Sequence, residues 1–529
     1  MNLDRFGLTT DDKTMSPRTP TTVSSAPTRP QAKVVERAIR DRDDPRRGMA
    51  KPIVVPEHMA PEDRAGFLAR VQSAAEEIRT VRDTAMAEGR TPRALLFSDM
   101  DVDGITSHTI MRTVYERLGF EVEPVFSKKF SDDIMDRLRR ADHDIVTVTD
   151  HGSPARDAFG DPPVLVLDHH KPPDPDQDHS HQVHPMLFGL NGAVEVCSAG
   201  IGYLVARAID AEANRDLSVM GVIGSAGDML DLDHGRFVGI TATEVVEDAV
   251  RAGLIERKTD IRLYGRHGRS LKQLFQYADD PRFEGLSKNE VAVTRFLAAQ
   301  GLNPEERWCR LDQETRGRLV GHLLERASDP DRVLGEVYEL TGEEIGGHLR
   351  DVKEFGTLIN GSSRYEMPEP VIAVLKGDRG RKYHQAVDNY LNHKRNIMKA
   401  IRLMHELGVK QTAHLQWVHV EGLVRHTIVG SVAGAVQGRY DENKPIIAFA
   451  YEAEDLTKTK VSGRGTRRLC QEGLDLSRVM RECAETLGGK GGGHDVAAGA
   501  TIPAGTEERF IDMADAIVGE QLGHLHKRV

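Results

Sequence analysis

Only four of the 529 residues are cysteine, and Cys197, Cys309, Cys470 and Cys483 form neither a CxxC pair nor any zinc-type spacing. That scatter excludes a disulfide scaffold and marks the thiols as ordinary reduced side chains. Missing too is any run of about 18 apolar residues, which excludes a membrane-spanning helix. The opening stretch, MNLDRFGLTTDDKT, lacks the apolar segment of a secretory signal, so a cytoplasmic location with no membrane partner is expected. Nor is there an excess of positive charge. A net charge of −11 excludes a protein that coats nucleic acid with a basic surface, while leaving room for a local basic groove.

What the chain does contain is ordinary globular material, 39% hydrophobic and 29% charged. At roughly 150 residues per domain its length calls for about three units. Residues 1–52, rich in Thr, Ser, Pro and Arg, cannot bury enough apolar surface to offset ordering entropy and are expected to be a disordered tail. Phe67, Leu68, Val71, Ala74, Ile78 and Val81 recur at helical spacing and predict a leading helix. After Pro92, short apolar runs (ALLFS, VEPVF, DIVTVTD, VLVLD) alternate with amphipathic stretches. That alternation predicts an α/β domain over 53–239 built on a parallel sheet, in which ligands bind outside the carboxyl ends of the strands. Residues 240–355 are charged, broken by Gly265, Pro281, Gly301 and Pro330, and read as a helical insert. Over 356–529 strands return as VIAVL, AHLQWVHV, HTIVGSVAG and PIIAFAYEA, followed by the glycine cluster GGKGGGHDVAAGATIP, which predicts a second α/β domain with a functional loop. The active site is then expected in the cleft between the two α/β domains.

Chemistry concentrates at strand ends. DMDVDG sets Asp99, Asp101 and Asp103 at alternate positions after an apolar strand, a cluster of oxygens suited to hard divalent cations. The same spacing opens a calcium-binding EF-hand loop, but the twelfth position there must be a bidentate glutamate and here it is Ile110. Without a cation the cluster is a solvated acidic turn whose carboxylates repel. Asp150 closes the next run at the same sheet edge, an address that also suits a helix N-cap. VLVLDHH adds Asp168, His169 and His170, and imidazole beside carboxylate suits manganese. GVIGSAGDMLDLD offers Asp228, with Asp231 and Asp233 read as capping or solvated. The glycine cluster is not a P-loop, because Gly491 follows Lys490 where Ser or Thr is required. It is either a structural turn or, with Arg364 and Arg464, a clamp on phosphates. His179, His181 and His184 read as a solvated loop, His108 as packing or surface, and the charged run from Arg310 to Arg326 as an exposed helix face.

Taken in order, DMDVDG, TD, DHH and GSAGD resemble the four signature motifs of the DHH phosphoesterases, and their spacing fits the RecJ group best. GGGHDVAAG resembles the glycine-rich motif of the accompanying DHHA1 domain, LINGSSR resembles the NAAGR motif and VSGRG the SxR motif. GRHGRSL and DPRFEGL are more similar to the archaeal branch associated with the replication factor GINS. The resemblance implies that Asp99, Asp101, Asp103, Asp150, His169 and Asp228 hold two divalent metals, Mn²⁺ or Mg²⁺, with Asp150 bridging. It implies further that His170 contacts the scissile phosphate and acts in catalysis with Asp101, Asp103 and Asp150. Asn360, Arg364, Ser462, Arg464, Gly492, Gly493 and His494 would hold the nucleic acid. The implied activity is exonucleolytic degradation of single-stranded DNA or RNA to 5′-mononucleotides in replication or repair, with GINS or other replisome proteins as partners. Two alternatives stand beside it: a phosphodiesterase for oligonucleotides, cyclic dinucleotides or phosphorylated nucleotides, and a structural subunit of a replisome.

Overall fold

The computed structural model describes residues 61–127, 132–152, 164–170, 181–437, 440–453 and 455–523. The tail expected over 1–52 and His179 lie outside the described residues. Helix α1 (Pro61–Ala87) leads into strand β1 (Arg93–Ser98), α2 (Val102–Arg117), β2 (Glu121–Phe126), α3 (Asp132–Arg139), β3 (Ile145–Thr149), β4 (Val164–Leu167) and the short β5 (Gln182–Val183). The five strands form one parallel sheet in the order β2-β1-β3-β4-β5. Because β1 is flanked by β2 on one side and β3 on the other, the winding reverses there, and a crevice opens beyond the carboxyl ends of β1 and β3.

Alternation along the strands decides which side chain meets which layer. Ala94, Leu96, Ile145, Leu165 and Leu167 join one core with α1, α2, α4 (Ser198–Ile209) and α5 (Ser218–Gly227). Leu95, Phe97, Val146, Val148, Val164 and Val166 face the opposite way and pack against Met135 and Leu138 of α3. The first core continues through a π-helical turn at Thr241–Val246 and α6 (Glu247–Arg251).

The insert is less helical than its composition suggests. Strands β6 (Ile255–Ile261) and β7 (Leu334–Leu340) pair antiparallel and enclose α7 (Leu271–Gln276), α8 (Glu290–Ala299) and α9 (Gln313–Arg326). These elements bury a core of their own around Trp308, Phe275, Leu297 and Leu323. Charges on both faces of β6 (IERKTDI) hide its strand character from a hydrophobic-period reading. In α9, Leu319, Val320 and Leu323 are buried, so the charged run has one apolar stripe beneath its exposed face.

Two expected strands are helices. VIAVL falls in α11 (Pro368–Leu375), which starts on Pro368 after α10 (Val352–Ser363). HTIVGSVAG falls in α13 (His426–Val436), after the long helix α12 (Arg381–Leu407) and strands β8 (Lys410–Gln411) and β9 (Gln416–His419). Short apolar runs of this kind carry no usable period, and tertiary packing decided them. The second sheet is completed by β10 (Ile446–Tyr451), β11 (Lys458–Arg464), β12 (Lys490–Gly493) and β13 (Ala497–Pro503), with α14 (Arg467–Gln471), α15 (Leu476–Thr486) and α16 (Glu507–Leu522). Its order is β12-β13-β11-β10-β9-β8, antiparallel except for the parallel β9–β10 pair. The glycine cluster, expected as a loop, is the β12–β13 hairpin at the edge of this sheet. Helix α12 belongs to two cores: Ala386 and Tyr390 pack with the first sheet, Ala400, Ile401 and Met404 with the second.

Among the described residues, no helix is long and apolar enough to cross a membrane.

Candidate metal centre

Local folding delivers the acidic residues to the crevice. Asp99 follows β1 directly, and Asp101 caps α2 by accepting the Gly104 N–H at 2.9 Å. A Cβ at position 104 would sit 2.4 Å from the Asp99 carbonyl oxygen, so only glycine lets the strand turn this tightly into the helix. Asp103 is fully buried on the first turn of α2. Its two carboxylate oxygens accept the backbone N–H groups of Ser198 and Ala199, each at 2.8 Å. The positive end of α4 thus faces a carboxylate on another helix.

Asp150 follows β3 with φ of 59°, a left-handed conformation unusual for a side chain larger than glycine. It is 1% exposed. One oxygen accepts the Ser198 hydroxyl at 3.3 Å; the other, Oδ2, is buried and has no hydrogen-bond partner. His169 points its Nδ1 at the Gly192 carbonyl oxygen, 2.8 Å away, so that nitrogen carries the proton. Nε2 then turns its lone pair toward Asp228 Oδ2 at 3.2 Å, Asp150 Oδ1 at 3.4 Å and Asp103 Oδ2 at 3.7 Å. Lone pair against carboxylate is repulsive unless a cation lies between them.

The donor atoms fall into three overlapping groups, each within 4.8 Å: Asp99, Asp101 and Asp150; Asp103, His169 and Asp228; and Asp150, His169 and His170. Asp150 belongs to two of them, as a bridging position requires. Burial, followed by the charges of Asp101, Asp103, Asp228 and Asp99, pushes the Asp150 carboxyl well above its ordinary range. Burial and the charges of Asp103, Asp101, Asp99 and Asp168 do the same to Asp228. Oxygen-rich donors with one or two imidazoles, an orphaned buried carboxylate oxygen and mutual repulsion together fit hard divalent cations such as Mn²⁺ or Mg²⁺.

His170 stands at the mouth with its side chain 45% exposed. Its Nδ1 lies 2.8 Å from Asp168 Oδ1, which also accepts the backbone N–H groups of His169 and His170. Burial opposes the charge on His170, but the hydrogen bond and charge of Asp168, with Asp101 and Asp103, outweigh it and push the imidazole up to about 9. Asp168 therefore orients His170, a role the sequence left unassigned. His151, beside Asp150, adds a third imidazole, 3.8 Å from Asp99 Oδ2. His184, expected in a solvated loop, is buried: its Nε2 contacts the His170 carbonyl oxygen at 2.7 Å and its Nδ1 accepts the Met186 N–H. His181 pairs with Glu77 at 3.5 Å. His108 is fully buried against Phe126, with Nδ1 on the Ser98 hydroxyl. Asp231 is buried and paired with Lys353 at 2.6 Å, apart from the donor groups.

The residues expected to hold nucleic acid form a second locality. Arg364 caps the end of α10, which carries Asn360. Arg464 ends β11, and a Cβ on Gly430 of α13 would stand 2.5 Å from its Nη2 and 3.2 Å from Ser462 Oγ. Burial and the nearby charge of Arg364 both lower the Arg464 pKa, so the two guanidinium groups lie close enough to feel each other's charge. Register puts Gly493 across Ala498 from Gly463, and Arg464 across from Ala497, whose carbonyl accepts the His494 N–H. Gly492 has no neighbouring atom within 4 Å of where a Cβ would stand, so the backbone there is open to approach. Sequence reasoning missed Tyr365 and Arg425, which stack cation over ring at 5.3 Å beside Arg364. Neither belongs to a motif of regular spacing.

Comparison with known proteins matches residues 93–222 to the DHH family N-terminal domain, 263–335 to the DHH-CID domain and 416–520 to the DHHA1 domain. An uncharacterized protein of Methanocaldococcus jannaschii is 27% identical over 364 residues, 68% of this chain and 76% of that protein. The single-stranded-DNA-specific exonuclease RecJ of Bacillus subtilis is 22% identical over 256 residues, 44% of this chain and 32% of the relative. Among solved structures, RecJ from Thermus thermophilus in complex with Mn²⁺ superposes with a TM-score of 0.54 at 17% identity, over 93% of this chain and 59% of that one. CDC45 from Entamoeba histolytica superposes with a TM-score of 0.58 at 11% identity, over 84% of this chain and 99% of that one. This chain thus spans a third of the bacterial relative and under two thirds of the Thermus protein, and the structural likenesses speak to fold.

Proposed function

Because the chain carries DHH, DHH-CID and DHHA1 domains in that order, we propose that it is a two-metal phosphodiesterase acting as a RecJ-like exonuclease on single-stranded DNA or RNA, releasing 5′-mononucleotides. The observation that carries this reading is the meeting of Asp99, Asp101, Asp103, Asp150, His169, His170 and Asp228 at one sheet rim. Asp99, Asp101, Asp103, Asp150, His169 and Asp228 would hold two Mn²⁺ or Mg²⁺ ions. Such a pair supplies a water of lowered pKa and neutralises the attacking and leaving oxygens of an in-line displacement.

This chain's own residues do the rest. Asp150, buried and unpaired at Oδ2, belongs to two of the three donor groups. His170, held by Asp168 and kept cationic, presents its exposed Nε2–H to a non-bridging phosphate oxygen. Arg364 and Arg464, with the Gly492–His494 backbone, grip the strand through phosphate oxygens, which suits substrates of any sequence. A small-substrate phosphodiesterase has less need of a paired-arginine locality. A scaffold with no chemistry has no use for seven ligand-type side chains at one rim, although partner binding, including a replisome protein such as GINS, is compatible with catalysis.

The test is cleavage of end-labelled single-stranded DNA and RNA, and of a dinucleotide, in Mn²⁺, Mg²⁺ or EDTA. Asp101→Ala and Asp150→Asn should abolish cleavage while leaving the circular dichroism spectrum unchanged. Parental activity in either variant, or in EDTA, refutes the site; cleavage of the dinucleotide alone refutes the exonuclease reading.

A further inference from the structure

Beyond the metal centre, the insert contains a cavity of about 120 Å³ between β6, β7 and the turn at Trp308–Arg310. At ~30 Å³ per water it has room for about four waters or one tetrahedral oxyanion. Its lining is charged and deeply set: Arg266, His267 and Glu339 are 2%, 1% and 3% exposed. We propose that this cavity binds a small oxyanion, namely inorganic phosphate or the phosphomonoester end of a larger ligand.

The hydrogen-bond accounting points to an acceptor-rich guest. Glu339 is engaged at both oxygens, Oε1 by Arg266 at 3.1 Å and Oε2 by Lys258 at 2.9 Å and Arg350 at 3.2 Å; His267 Nε2 stands 3.0 Å from Oε1 yet is buried with no hydrogen-bond partner. Asp260 Oδ1 accepts the Trp308 indole at 2.9 Å and the Ile261 N–H at 2.8 Å, while Oδ2 takes Arg266 at 3.2 Å. Donors are left over. Arg316 Nε is buried with no hydrogen-bond partner, and its Nη1 comes only to 3.8 Å from Asp260. Lys258 has three protons and its acceptors number two, one of them at 3.9 Å.

Formal charge does not decide the guest. Lysine 258 and arginines 266, 316 and 350 line the cavity against Glu256, Asp260 and Glu339, with Asp351 behind Arg266 as a fourth carboxylate, so cations and carboxylates balance. His267 accepts the Gly346 N–H at Nδ1, 3.1 Å away, which leaves its proton on Nε2. Buried donors without acceptors, Nε of Arg316 and Nε2 of His267, favour an acceptor-only guest over water. The occupant would be felt elsewhere. Arg266 bonds Asp351, the N-cap of α10, and the His267 N–H bonds Glu354 on its first turn; the far end of α10 carries Arg364.

The experiment is isothermal titration of the full chain with inorganic phosphate, and separately with 5′-AMP, in chloride buffer containing EDTA. Lys258→Gln and Arg316→Gln remove side chains that are 31% and 27% exposed, so the buried framework persists. Each should weaken phosphate binding about tenfold or more, the scale of a lost charge-assisted hydrogen bond. Arg464→Gln should leave that affinity unchanged, separating this cavity from the paired-arginine locality. Binding of 5′-AMP with the same dependence on Lys258 and Arg316 identifies a phosphomonoester end; binding of phosphate alone identifies the free anion. Absence of binding in the parent, equal affinity in both Gln variants, or loss only in Arg464→Gln overturns the proposal.

Discussion

Replacing Asp150 by Asn should make the metal-free protein more stable while destroying its response to metal. Asn is the informative choice because it tolerates the φ of 59° that position 150 requires. The donor atoms of Asp150, Asp99 and Asp101 lie within 4.8 Å of one another. At an effective dielectric of about 20, each such carboxylate pair costs about 3 kcal/mol. Proton uptake limits the strain: holding a carboxyl neutral near pH 7.5 from an ordinary value near 4 costs about 5 kcal/mol. Subtracting about 1 kcal/mol for the weakened Ser198 bond leaves a gain on the order of 2–4 kcal/mol. At about 2–4 °C per kcal/mol the first unfolding transition in EDTA should rise by roughly 10 °C. In Mn²⁺ at a thousandfold excess over its dissociation constant the parent gains about 4 kcal/mol, and the variant does not. Scanning calorimetry in EDTA and in MnCl₂ reads both. A variant that melts at or below the parent in EDTA would show that these carboxylates are not in mutual repulsion, and the cation argument would fail with it.

Asp168→Asn keeps shape but removes the charge that orients His170; kcat for single-strand cleavage should fall about 10–100-fold, with the Mn²⁺-induced thermal shift intact. A change in KM alone contradicts that role. Gly224→Ala places a methyl 2.4 Å from Ala199 Cβ and 2.9 Å from Asp103 Oδ1. It should cost about 1–3 kcal/mol in urea unfolding and weaken Mn²⁺ binding, and an unmoved midpoint would refute the tight α4–α5 packing. His108 is pushed down to about 3 by burial and by Arg112. A histidine depressed on folding stabilises above its unfolded value near 6.5 and loses that contribution as pH falls, about 2 kcal/mol by pH 5. His108→Gln should flatten stability between pH 7 and 5; an unchanged slope removes the assignment.

Much of the first domain was readable because its strands end on chemistry: ALLFS, DIVTVT and VLVL are buried runs, and each is followed by an acidic residue at the sheet edge. The resemblance to a DHH and DHHA1 architecture and the α/β class with a parallel sheet agree with the matched domains. What escaped were matters of context. VIAVL and HTIVGSVAG are apolar with β-branched residues, and only packing on both sides makes them helices; Pro368 at a helix start was the one local clue. The glycine hairpin lacked side chains from which a strand could be read. Asp168 looked like a ligand by address, yet its partners are His170 and two backbone N–H groups, geometry that spacing cannot express.

The sharing of α12 between two hydrophobic layers has a mechanical consequence. A continuous rod of 27 residues, about 40 Å long, anchored at both ends, leaves no slack connector about which the halves could swivel. Widening the gap between the paired arginines must flex or slide that rod. Adding a single residue near its middle would turn everything downstream by about 100° and carry Arg464 away from Arg364, with both cores left whole.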